Sequence, residues 1–372
     1  MSDSETQMKY LDEFRDPEAV RSLAGAIRDA AAELDGPVRF MEVCGGHTMA
    51  IHRFGLPSLL PDDIELLSGP GCPVCVTPAA YVDRAIELGR SGMQLATFGD
   101  LYHVPGSEGT LAEAAGEDVD VQVVYSSRDA LELAQESPDR TVVMLAIGFE
   151  TTVPAMAATV TEAAARGVHN FRIMSGHKTM PPALEALAGA PDCALDGFIL
   201  PGHVSTIIGT RPYEFLPRDH GLACCIAGFE PTDVLRAVLS LCRQLADGEP
   251  GVDNAYRRAV KPDGNPTAWE HVKKVFAASP ARWRGLGVLD GSGLSVREEW
   301  SGYSVEAPDA SENTDPAPEC MCGEVLRGAA TPPDCPLFGT ACTPDSAVGP
   351  CMVSSEGSCA AHYKYGTEGA GE

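Results

Sequence analysis

Long apolar runs are missing from this 372-residue chain. None approaches the roughly 18–20 residues that a helix needs to cross a bilayer. The opening MSDSETQMKYLDEFRDPEAV is acidic and has no apolar stretch of the kind a secretory signal requires. A soluble, cytoplasmic protein is therefore expected. Basic residues are scarce: 27 Lys and Arg face 53 Asp and Glu, giving a net charge of −26. Such a surface repels phosphate backbones and anionic lipid, so neither nucleic acid nor membrane is an expected partner. The acidity otherwise reads as a solvated surface. Aromatics make up only 6% against 44% hydrophobic residues, so the core must be aliphatic. Nucleotide signatures are absent too. There is no Walker A sequence, and Gly285-Leu-Gly-Val-Leu-Asp-Gly291 is off the dinucleotide spacing and follows an expected helix rather than a strand.

Sulfur is what the chain has in quantity. Of 13 cysteines, six fall after residue 319: Cys320, Cys322, Cys335, Cys342, Cys351 and Cys359. Thirteen is too few for a disulfide scaffold at this length, and it is odd, so not every thiol can pair within the chain. In a reducing cytosol, clustered cysteines are metal ligands or catalytic thiols.

Short apolar runs alternate with helical patterns from about residue 38 to 245. Val38–Val43, Ile64–Leu67, Gln94–Phe98 and Val121–Tyr125 read as strands, followed by a second series at Thr141–Ile147, Phe171–Met174, Gly197–Leu200 and Leu222–Ile226. Strand–helix alternation implies parallel sheets with right-handed crossovers. The expected fold is α/β, with two Rossmann-like parallel-sheet domains in sequence and a small cysteine-rich iron–sulfur domain. The expected limits are an N-terminal helical segment at 1–35, a first α/β domain at 36–139, a second at 140–247, and a C-terminal domain at 248–372. A helix is expected over Thr267–Ala278. The stretch Val296–Glu319, with seven acidic residues and one basic, reads as a solvated loop.

In such sheets, ligands gather at the carboxyl ends of strands. Glu42-Val-Cys-Gly-Gly-His-Thr48 follows the first strand, and its paired glycines allow close backbone approach. Cys44 in that setting is expected to be a thiolate of lowered pKa rather than a buried small hydrophobe. Gly69-Pro-Gly-Cys-Pro-Val-Cys75 follows the second strand and is expected to open a helix, whose dipole would stabilise the Cys72 thiolate. Cys72 and Cys75 can close a small ring, which suits reversible disulfide chemistry; half of a zinc site is the other reading. Further polar loops at Phe98-Gly-Asp100, His103-Val-Pro-Gly-Ser107, Gly148–Thr152, Ser175–Lys178 and Pro201–Ser205 are expected to line a cleft between the two domains. In the tail, Cys320, Cys335, Cys342 and Cys359 give C-x14-C-x6-C-x16-C, which suits an iron–sulfur cubane or a four-cysteine zinc. Spacing alone leaves Cys322 and Cys351 as alternates.

EVCGGHT, GPGCPVCVTP, FGD with VPGS, GFETT, PGHVS and the tail Gly349–Cys359 together resemble the HypD family of [NiFe]-hydrogenase maturation proteins, from about residue 36 to 365. The resemblance implies two Rossmann-like domains and a third holding a [4Fe–4S] cluster on Cys320, Cys335, Cys342 and Cys359. It implies a scaffold, shared with HypC, on which a transient iron receives two cyanides and one carbon monoxide, with HypE joining transiently to supply cyanide. Cys44 is then the iron ligand, Cys72 and Cys75 a redox pair, and His47 a helper near the iron. The chain departs from the family's usual CGGHTH at Met49, and from its usual Arg before the VPG turn at His103. A stand-alone iron–sulfur disulfide reductase is the alternative reading, and a zinc-stapled binding module a third.

Overall fold

The computed structural model describes residues 12–191, 193–311 and 319–366. Its strands are β1 (Val38–Glu42), β2 (Ile64–Ser68), β3 (Gln94–Thr97), β4 (Val121–Val123), β5 (Val142–Gly148), β6 (Phe171–His177), β7 (Gly197–Leu200), β8 (Ala223–Ile226), β9 (Val252–Asn254), β10 (Phe276–Trp283), β11 (Gly287–Val296) and β12 (Ser304–Val305). Helices alternate with them, and several start where the side chains dictate. Thr110 with Glu113 and Ser126 with Asp129 form reciprocal capping boxes that satisfy amides the first turn would leave orphaned.

Two five-stranded sheets result, in the orders β2-β1-β7-β8-β9 and β12-β6-β5-β3-β4. Every pairing within them is parallel. Counted as the chain supplies its strands, each sheet reads 2-1-3-4-5, a doubly wound order. The α/β class and the pair of parallel sheets match expectation.

The sheets are not sequential, which corrects the expected limits. The chain builds β1 and β2, leaves to build β3 to β6 in the other sheet, and returns for β7 to β9. The expected boundary between residues 139 and 140 falls inside sheet two, where β3 pairs with β5 through Gln94↔Val142 to Ala96↔Met144. The region 248–372 does not stand apart either. β9 extends sheet one, and β12 pairs with β6 inside the expected solvated loop. The expected helix ends at Val275, and Phe276–Trp283 pairs antiparallel with β11. The Gly285–Gly291 segment therefore follows a strand, as a hairpin turn and its return.

Strand alternation divides the core. Val143, Leu145 and Ile147 of β5 face a cluster shared with Met41, Val43, Phe198 and Ile226 of sheet one, while Val142, Met144 and Ala146 face outer helices. On sheet one, Phe40, Ile64 and Ile199 face the helices Pro17–Ala31 and Pro231–Asp247. Each buried aliphatic side chain of this kind stabilises the fold by about 1.5–3 kcal/mol. The shared cluster also takes in Cys322, Leu326 and Cys351, so the tail completes the core between the sheets.

Candidate thiol site at the sheet switch points

In a 2-1-3-4-5 sheet the strand order reverses between the first and third strands, and a crevice opens there beyond their carboxyl ends. In sheet one that place lies between β1 and β7. Cys44 leaves β1 there and stands at the N-cap of the helix Gly45–Arg53. The two glycines behind it permit two close approaches. A Cβ on Gly45 would lie 2.4 Å from Glu356 Cβ, and one on Gly46 would lie 2.8 Å from the Phe229 ring. Gly71, of the next loop, packs so tightly that its Cβ would fall 2.1 Å from the Cys44 nitrogen. The Gly45 N–H donates to the Gly71 carbonyl at 3.0 Å, tying the two cysteine loops together.

Cys44 is buried. Its thiol is pushed up to about 12, first by burial and then by the negative charges of Glu356 and Glu42; N–H groups of Gly46 and His47 oppose this. The expectation of a lowered pKa is therefore corrected: water is excluded and the nearest charges are negative. Glu42, 2% exposed, accepts from the Cys44 N–H at 3.0 Å and from the Thr48 hydroxyl. Burial pushes its carboxyl up to about 7.

His47 is fully buried and lowered to about 4, chiefly by desolvation. Its Nε2 lies 3.2 Å from the Ala227 carbonyl. A carbonyl only accepts, so Nε2 carries the hydrogen and Nδ1 the lone pair. No hydrogen bond reaches Nδ1 among the described residues. The ring stacks on Phe229 (centroids 4.8 Å apart), whose ring also stacks on His203 (4.0 Å).

Cys72 and Cys75 are joined as a disulfide, with Cα atoms 5.3 Å apart. The following helix begins only at Ala79, with Pro78 as N-cap, so the expected dipole at Cys72 is corrected to a local contact: the Cys75 N–H donates to Cys72 Sγ at 3.2 Å. Two neighbours hold this turn. Arg284, in the β10–β11 turn, donates its backbone N–H to the Val76 carbonyl at 2.9 Å and its guanidinium to the Thr77 carbonyl. On the tail side, Cys75 Sγ lies 3.9 Å from the carbonyl of Pro350. Pro350 opens a short helix, Pro350–Val353, that carries Cys351.

The tail thiols converge. Cys320 is pushed up to about 12 by burial and by Cys322, Cys335 and Cys342. Cys359 is raised by burial and by Cys322, Cys320, Cys342 and Cys335. Thiols that disfavour one another's ionisation need a cation to become thiolates together, and this is the donor set a cluster requires. The residues present fit it in kind. Among the described residues no three His, Cys, Asp or Glu stand at the spacing of a single-ion site. One pair is tight: Cys322 and Cys351 sulfurs are 2.8 Å apart. Glu356 joins the two regions. It rests on Gly45, and its carboxyl is raised by burial and by Asp100, which follows β3 at the switch point of sheet two.

The expected cleft loops separate in the structure. His103, Asp100 and His203 are exposed. Glu150, His177 and Lys178 are buried. Lys178 Nζ lies 5.9 Å from the Trp283 ring centroid and is lowered to about 8 by burial. Tyr213, which sequence reasoning missed, donates to or accepts from Ser205 Oγ at 3.1 Å, and its phenol is raised by burial and by the charges of Glu150 and Cys44. Glu356 and Phe229 were missed as well; the paired glycines they pack against were the available signal. Among the described residues no helix is long and apolar enough to cross a membrane.

Known proteins resemble this chain over almost its whole length. Residues 18–366 match the family described as "HypD: Hydrogenase formation hypA family". The chain is 47% identical to hydrogenase maturation factor HypD2 of Bradyrhizobium diazoefficiens, over 96% of this chain and 97% of that protein. It is 44% identical to hydrogenase maturation factor HypD of Escherichia coli, over 96% and 98%. With the HypD of Cupriavidus necator the identity is 45%, over 96% and 97%.

Proposed function

The chain belongs to the HypD family of hydrogenase formation proteins, and from that premise we propose that it is the scaffold on which an iron atom acquires two cyanides and one carbon monoxide before insertion into a [NiFe]-hydrogenase. The iron is cargo. Cys44 binds it from this chain and HypC from the other side, and HypE docks transiently to deliver cyanide. The supporting observation is the setting of Cys44: a buried thiol at a switch point, its pKa pushed up to about 12. Such a thiol becomes a ligand only when a cation takes the place of its proton. His47 is neutral at physiological pH, with its Nδ1 lone pair uncommitted, and serves as a hydrogen-bond acceptor or base in the same loop.

Cys320, Cys335, Cys342 and Cys359 hold the resident [4Fe–4S] cluster, which supplies electrons one at a time when bound. Opening the Cys72–Cys75 disulfide takes two electrons and two protons and yields two thiols in the loop that packs on Cys44. The negative charges of Glu42 and Glu356 favour a cation at Cys44. Anaerobic co-purification with HypC, followed by infrared spectroscopy of the cyanide and carbonyl stretches, tests the reading. The bands should be present in the parent complex and absent with Cys44→Ala; bands that persist in the variant refute the role of Cys44.

A second reading, a stand-alone iron–sulfur protein disulfide reductase, is favoured by the packing of Cys75 against the Cys351 helix. It requires multiple turnovers of a disulfide substrate without HypC, lost with Cys72→Ser.

A further inference from the structure

Apart from the thiols, the chain contains a cavity of about 550 Å³ between the ends of β5 and β6, the β10–β11 hairpin and the helix Pro266–Val275. That is the size of a small-molecule site. Its lining is mostly apolar, with Ile207, Ile208, Trp269, Val272, Phe276 and Leu294. One buried acidic group interrupts this wall. Glu150 is 1% exposed, and its Oε1 accepts from the Met180 N–H at 2.9 Å. No hydrogen bond reaches its Oε2 among the described residues. A carboxylate oxygen without a donor in apolar surroundings is costly, and native structures retain such an atom where something else supplies the donor.

The cations in the lining do not supply it. Arg297 donates to the carbonyls of Lys273 and Phe276, at 2.8 and 3.0 Å. Lys273 is exposed. An anionic ligand would meet Glu150 directly and find Asp263 and Glu270 also in the wall. The whole chain, at −26, draws cations toward it. The two helix starts in the lining carry Pro181 and Pro182 in one and Pro266 in the other, which have no N–H, and the Met180 N–H is already taken by Glu150, so neither offers the cradle of amides a phosphate would need.

We propose that this cavity is a binding site for a small organic amine, with the ammonium donating to Glu150 Oε2 and an apolar body lying against Trp269, Phe276 and Leu294. The proposal is independent of the iron-scaffold reading. The ligand's charge replaces the missing donor, and its body replaces water along the apolar wall.

Isothermal titration of the full chain with 4-phenylbutylamine, 4-phenylbutan-1-ol and 4-phenylbutanoate tests it. The amine should bind once per chain, at least tenfold tighter than the alcohol, and the carboxylate should not bind. Glu150→Gln keeps the acceptor for Met180 and removes the charge, and should weaken amine binding at least tenfold. Ala278→Trp, at an exposed wall position on β10, is placed to block the cavity without replacing Glu150 and should abolish binding. Equal affinity for amine and alcohol overturns the proposal, as does amine binding that survives Ala278→Trp. Should Glu150→Gln fail to fold, those two comparisons decide the matter.

Discussion

The sulfurs of Cys322 and Cys351 stand 2.8 Å apart, buried in the core that the two sheets share. The spacing pattern that singles out Cys320, Cys335, Cys342 and Cys359 passes over both. The pair lies one residue from Pro350, whose carbonyl faces Cys75, and so adjoins the one disulfide among the described residues. In the reduced, iron-free chain, diamide should join Cys322 to Cys351 before any other two tail cysteines. Peptide mass analysis after blocking the remaining thiols reads this, and a first bridge involving Cys320 or Cys359 would contradict it.

Gly71 carries no side chain because the Cys44 backbone occupies that space. Gly71→Ala must push one cysteine loop away from the other, at a cost on the order of 1–3 kcal/mol, and the complex should lose its diatomic infrared bands. Gly116→Ala is the control. Nothing lies within 4 Å of a Cβ there, and Ala in a helix stabilises by about 0.5–1 kcal/mol. A Gly71→Ala protein as stable as the parent would refute the packing argument.

Glu150 makes stability depend on pH with a definite sign. Its carboxyl is raised from 4.5 to about 7 by burial, so between those values the folded chain keeps a proton that the unfolded chain has released. Its contribution is therefore fully present below pH 4.5 and lost as pH rises through 7, a change of roughly 3 kcal/mol. His177, lowered to about 3, acts oppositely, adding stability as pH rises from 3 to 6.5; Lys178 does so between about 8 and 10.5. Glu150→Gln should make Tm climb more steeply, or fall less, from pH 5 to 7. Parallel Tm profiles for parent and variant would show that Glu150 does not titrate in this window.

The tail shields Cys44, since Glu356 sits on Gly45 and the helix Ser358–Tyr365 packs on Gly45–Arg53. Cys342→Ser, which removes one member of the tail donor set, should loosen that cover. Iodoacetamide should then modify Cys44 at least tenfold faster than in the parent, read by peptide mass. An unchanged rate would mean that the tail donor set and Cys44 are uncoupled.

Most strands were legible because apolar runs of four to seven residues bounded by Gly and Pro can be little else in an alternating chain. The hairpin was not. Phe276-Ala-Ala-Ser-Pro-Ala-Arg-Trp283 is rich in small residues and contains Pro280, and the register shifts between Ser279 and Ala281, where a strand tolerates a residue lacking an N–H donor. Sheet membership was illegible as well, because nothing local to Gln94–Thr97 says whether it pairs with Met41 or with Val143. Cys44, His47, Cys72 and Cys75 could be picked out as residue types in a pattern. The raised pKa of Cys44 could not, since it comes from burial and from Glu356, some three hundred residues away in sequence.

The interleaving of the sheets has a consequence for biosynthesis. The first four strands of sheet two, β3 to β6, leave the ribosome as one uninterrupted stretch and can close among themselves. β1 emerges earlier, yet its second neighbour, β7, does not exist until Gly197 and beyond have been translated. Throughout that interval the Phe40 strand presents a bare edge to solvent, a template for mispairing. The crevice that receives Cys44 therefore takes shape only after the first four strands of the partner sheet have been made.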